Sequence, residues 1–121
     1  MYKKKRIKYK GVNYYLNVFT YENGRIGLKL ENKSGDIDIS IDLPDCCLEE
    51  EHIFLNPDVR SNNSLYKLLR KCKLIKDVSS VIMFDYNPIP VTKVNLRKLE
   101  EYDYDGVTGY LSLKHSEGFI E

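Results

Sequence analysis

The stretch Asp36–Leu43, DIDISIDL, alternates without a break between apolar and polar residues. A period of two is the pattern of a strand with one covered face. It predicts Ile37, Ile39, Ile41 and Leu43 turned inward, with Asp36, Asp38, Ser40 and Asp42 turned to water. Pro44 ends the strand because it has no N–H to give a ladder. Upstream, Asn32-Lys33-Ser34-Gly35 reads as a turn, and Ile26, Leu28 and Leu30 alternate before it. Asn23-Gly24 predicts a two-residue type I′ hairpin, since both central positions of that turn need positive φ. Asn13–Tyr21 is apolar on both faces, the mark of a central strand, and Gly11 separates it from an alternating segment at Ile7–Lys10. Four antiparallel strands in sequence order, a meander, follow from these signals.

Downstream, Asp45–Glu51 reads as an acidic loop, His52–Leu55 as a short strand and Asn56-Pro57-Asp58 as a turn. Ser61–Asn63 supplies helix-capping side chains. Leu65, Leu68, Leu69, Cys72 and Ile75 then recur at helical spacing, with Lys67, Arg70, Lys71 and Lys73 largely on the other side. Asp77–Tyr86 returns to strand character, Asn87–Pro90 reads as a stiff loop, and Val91–Leu99 as a further strand. Asp105-Gly106 looks like a break, with a short helix expected near Gly106–His115. The expected architecture is α+β: an antiparallel meander of four or more strands on one main amphipathic helix, plus a short C-terminal helix. At 121 residues a single domain, residues 1–121, is expected.

Composition narrows the function classes. The chain is 42% hydrophobic with a formal net charge of +1, ordinary for a folded protein. Neither a signal-peptide core nor the ~20 apolar residues of a membrane span can be read in it. Its cysteines, Cys46, Cys47 and Cys72, are odd in number with two adjacent, a poor disulfide framework that suits a reducing bacterial cytoplasm. No phosphate-binding glycine loop or nucleophile elbow occurs. Cys46 or Cys47 with His52 would be the available nucleophile–base pairing, but acidic neighbours raise a thiol pKa and oppose thiolate formation. Catalysis is therefore not expected, and binding is.

The charges are segregated. Met1–Lys10 holds Lys3, Lys4, Lys5, Arg6, Lys8 and Lys10 and no acid. Ser34–Asp58 holds Asp36, Asp38, Asp42, Asp45, Glu49, Glu50, Glu51 and Asp58 and no Lys or Arg. Arg60–Lys76 is basic again. Such blocks steer partner choice, although each is also what a solvated face requires. The acids from Asp36 to Glu51 form a candidate surface for a basic protein partner. Lys3, Lys4, Lys5, Arg6, Lys67, Arg70 and Lys71 form a candidate nucleic-acid surface, against a sequence pI of about 7.6, lower than dedicated binders show. Cys46, Cys47, His52 and Cys72 make a potential Cys₃His set of the kind structural zinc prefers, though without CxxC spacing, and buried free thiols are the plainer reading.

The succession ISIDLP (Ile39–Pro44), acidic loop, HIFLN (His52–Asn56), polar helix start and KLIKDV (Lys73–Val78) resembles a group of small uncharacterised proteins of phages and conjugative elements in Gram-positive bacteria. Several proteins of that size and genomic setting are anti-CRISPR inhibitors. The resemblance covers roughly Arg6–Val78 and rests on strand and turn patterns, without catalytic signatures. It implies a stoichiometric inhibitor whose partner is a CRISPR effector nuclease, the acids standing in for backbone phosphates in a channel built for nucleic acid.

Overall fold

The computed structural model describes the backbone of residues 4–120 and side chains as far as Lys114. The order is β1 (Arg6–Tyr9), β2 (Val12–Thr20), β3 (Ile26–Glu31), β4 (Ile37–Asp38), β5 (Ser40–Ile41), β6 (His52–Leu55), α1 (Pro57–Ser61), α2 (Asn63–Lys71), β7 (Ile75–Phe84), β8 (Asn87–Val94), α3 (Leu96–Tyr102) and α4 (Tyr104–Ile120). β1-β2-β3-β4 form the expected meander, and a second antiparallel sheet runs β5-β6-β8-β7. No helix among the described residues is long and apolar enough to cross a membrane.

The DIDISIDL stretch does not make one strand. It changes sheets at Ile39: Ile37 and Asp38 pair with β3, while Ser40 and Ile41 pair with Leu55 and Phe54 of β6. Ile39 joins the layers, donating its N–H to Leu28 O at 3.0 Å and accepting from Asn56 N at 2.8 Å. Ser40, expected in water, is buried. Its hydroxyl accepts from Leu28 N at 2.9 Å and lies 2.8 Å from Tyr21 Oη, serving a β3 backbone group that β4 no longer reaches. Alternation is lost here because the two sheets bury opposite faces of the segment.

Turn chemistry explains the other boundaries. Lys10 and Gly11 both have positive φ, a two-residue hairpin between β1 and β2. At Asn23-Gly24 only Gly24 does, at φ 87°, and Tyr21 N donates to Arg25 O. The loop is thus three residues with glycine in the left-handed position rather than a type I′ turn. Asn56 caps α1, a helical turn where the sequence suggested only a bend, and Asn62 caps α2. α2 stops at Lys71 because Lys73 turns left-handed (φ 63°), which places Ile75 in β7 instead of on the helix.

The β7–β8 hairpin turns at Asp85-Tyr86, both with positive φ, so Asn87–Pro90 is strand and not loop. Two prolines fit there because β6 pairs only with Val91, Thr92 and Lys93; on that side Pro88 and Pro90 face no strand that needs their N–H. β8 ends at Val94, and Asn95 caps α3 where a strand was expected to continue. Gly106 lies inside α4 instead of breaking it: a Cβ there would stand 2.2 Å from Val18 O.

The main core joins both sheets and all four helices, through Leu16, Val18, Leu28 and Leu30, through Ile53 and Leu55, and through Val59, Leu65, Leu69, Leu99, Val107 and Tyr110. Phe54 points to the other face of the second sheet, where it forms a smaller cluster with Ile89 and Val91. That second cluster positions the site described next.

Candidate functional site

The smaller cluster is roofed by the acidic loop. Leu43, Cys46 and Leu48 pack with Ile41 and Ile82 onto Phe54, Ile89 and Val91. Arg25 holds the loop down: its guanidinium donates to Leu43 O at 2.9 Å and to Cys46 O, and stands 5.7 Å over the Phe54 ring. The roof is incomplete. Between it and the β7–β8 ribbon runs an open groove of about 380 Å³, with Cys47, Leu48, Glu49 and His52 on one side and Ser79, Ser80, Ile82 and Val91 on the other. Backbone carbonyls only accept, so His52 Nδ1 donates to Glu50 O, 2.8 Å away.

Beyond the groove the ribbon continues past the end of β6 with several of its apolar side chains uncovered. Val81 is 56% exposed, Met83 66%, Phe84 42% and Tyr86 95%. Half of the large exposed hydrophobic residues among those described thus fall within six consecutive positions. Isolated exposed apolar residues need no explanation, whereas a cluster marks an interaction surface. Strand-like hydrophobicity was legible at Val78–Phe84, but its exposure was not, because periodicity cannot say which face finds a cover.

The candidate acids divide into three groups. Asp38 sits exposed on the edge strand β4 and Asp36 exposed just before it, 3.9 Å from Lys29. Asp42 is turned inward, 3.6 Å from Arg25 Nη1 and accepting from Asn23 Nδ2 at 3.1 Å. Asp45, Glu49 and Glu50 stand exposed on the loop that walls the groove. Glu50 reaches Lys114 at 2.9 Å and holds that ammonium's pKa above its ordinary value through their hydrogen bond. No ion pair engages Asp45 or Glu49 among the described residues. Glu51 is half-buried with positive φ, and its carbonyl accepts from Val94 N. The structure therefore places Glu49 at the groove, with Asp45 and Glu50 elsewhere on the same loop, and sets Asp36, Asp38 and Asp42 apart.

The sulfurs are also divided. Cys46 packs in the smaller cluster, Cys47 is exposed at the groove, and Cys72 packs against the main core. Tyr102 has its pKa raised, by burial first and by the adjacent Cys72 second. The set Cys46, Cys47, His52 and Cys72 is not gathered, and no group of three or more His, Cys, Asp or Glu side chains among the described residues has a metal-holding arrangement.

Several of the candidate phosphate-binding cations tie elements together. Lys4 lies 3.7 Å from Asp103, Lys5 bonds Glu101 at 2.9 Å and stands over Tyr102, and Arg70 pairs with Asp77. Arg6, Lys67 and Lys71 are exposed, and Lys3 lies outside the described residues. Comparison with protein-family models, with curated proteins and with solved structures finds no match.

Proposed function

We propose that this chain is a non-catalytic binding protein that takes a basic, partly apolar segment of a protein partner along its groove and ribbon. One observation carries the reading: the ribbon whose Ile82 lines the groove across from Glu49 continues into exposed apolar side chains, Phe84 on the same face, and Asp45 and Glu49 on the loop have no ion pair among the described residues. Apolar anchors supply most of the binding energy at an interface, and flanking charge sets partner and on-rate. The groove also holds Cys47 and His52. A CRISPR effector nuclease, the partner implied by the resemblance, has this chemistry in its cationic channels.

The test uses peptide display against the intact protein and against the Phe84→Asp variant, whose position shares the groove-lining face of Ile82. Recovered sequences should combine Lys or Arg with large apolar residues and lose binding to the variant at least ~10-fold, the loss of one modest hot spot. Gel filtration with purified effector, read together with target cleavage, tests the finer assignment. Peptides that bind wild type and variant alike would defeat the groove reading; failure to co-elute with effector or affect cleavage would remove the nuclease as partner.

A further inference from the structure

At the far end of the second sheet from the ribbon tip, two hollows of about 290 and 250 Å³ adjoin, and Lys76 and Asn95 line both. Arg70, Lys73 and Asp77 complete the first, Glu51, Lys93 and Arg97 the second. Five cations from α2, the bend after it, β7, β8 and α3 thus face two acids. One acid, Asp77, is already paired with Arg70. The pairing of β7 with β8 sharpens the imbalance. Between the pairs Ile75↔Val94 and Val78↔Thr92 the register slips, so that Lys76 and Asp77 together oppose Lys93. Like charges set across a ladder are destabilising, and Lys73, Lys76, Lys93 and Arg97 have no ion-pair partner among the described residues. Crowded cations of this kind gain from an anion that bridges them.

We propose that this seam binds successive phosphates of a single-stranded nucleic acid along both hollows, one phosphate for each of the four cations without an ion-pair partner. A strand rather than a duplex fits, because Glu51 on the rim and the exposed carboxylates Glu49 and Glu50 next to it in the chain would repel a second backbone. The site shares Arg70 with the sequence-predicted basic surface but none of its other members, Lys3–Arg6, Lys67 and Lys71, and is independent of the groove. Binding here is driven by counterion release, so it is read through its salt dependence.

Fluorescence anisotropy with a short labelled oligothymidylate measures it. With about four phosphates neutralised, the slope of log K against log salt should be about −3, a roughly 60-fold loss of affinity between about 50 and 200 mM salt. Lys76→Gln, Lys93→Gln and Arg97→Gln should each flatten the slope by about 0.7. Lys67→Gln with Lys71→Gln, on the outer face of α2, should leave it unchanged. Circular dichroism confirms that each exposed-site variant stays folded. Absence of binding at low salt, equal losses in the α2 control, or equal affinity for polyglutamate of the same length would each overturn the assignment.

Discussion

Replacing Asp103 by alanine should destabilise this protein more than any surface substitution. β1 pairs only with residues 12–15 of β2, so the Val18 N–H, on a buried residue, has no strand to meet. Asp103 Oδ2 accepts it at 2.8 Å, while Oδ1 accepts Gly106 N at 3.2 Å and so caps α4. Loss of a cap costs about 1 kcal/mol, and stranding a buried N–H costs about 1–3 kcal/mol more. The sum is roughly 3 kcal/mol, with little added by the exposed Lys4. At about 3–4 °C per kcal/mol for a domain of this size, Tm should fall by roughly 10 °C. Urea unfolding followed by circular dichroism gives the free energy directly, and Asp103→Asn, which keeps one acceptor, should recover part of it. A loss under about 1 kcal/mol with an unchanged m-value would refute the reasoning, since the Val18 amide would then be satisfied elsewhere.

Ser40→Ala should cost about 1–3 kcal/mol by leaving the Leu28 amide without its acceptor, checked by the same unfolding curves; a neutral result would mean the sheet change does not depend on that hydroxyl. Glu101 accepts from Lys5 and Lys98, and the Lys5 bond chiefly holds its pKa below the ordinary Glu value. Its folded pKa is depressed, so the unfolded chain binds the proton more readily and stability rises with pH through this range. The Tm advantage of wild type over Glu101→Gln should therefore be present above about pH 4.3 and vanish as pH falls through the folded pKa. A gap that persists in acid would assign the effect to something other than ionisation.

What could be read from sequence was what short-range chemistry decides. The first three strands of the meander, the existence of their connecting turns and α2 with its polar cap follow from backbone preferences that neighbours do not override. The failures at Ser40, Pro88, Pro90 and Asp103 share one cause, partners distant in the chain. Ser40 is buried by Tyr21 and Leu28, Pro88 and Pro90 are tolerated because β6 is short, and Asp103 becomes a double cap only when α4 meets β2. The acidic loop was legible as a binding candidate, yet its division could not be foreseen, since Arg25 and Asn23 withdraw Asp42 from the array. Nor could the seam at Lys76 and Lys93, which exists only because the register slips there.

The crossing at Ile39 makes the protein mechanically indivisible. A single residue is laced by its amide into one layer and by its carbonyl into the start of the loop that leaves the other. Fraying at β4 must therefore pull on Asn56 and α1, and loosening of β6 must tug at Leu28. Opening on either side propagates, so the two layers share one cooperative unfolding event instead of melting as separate subunits of structure.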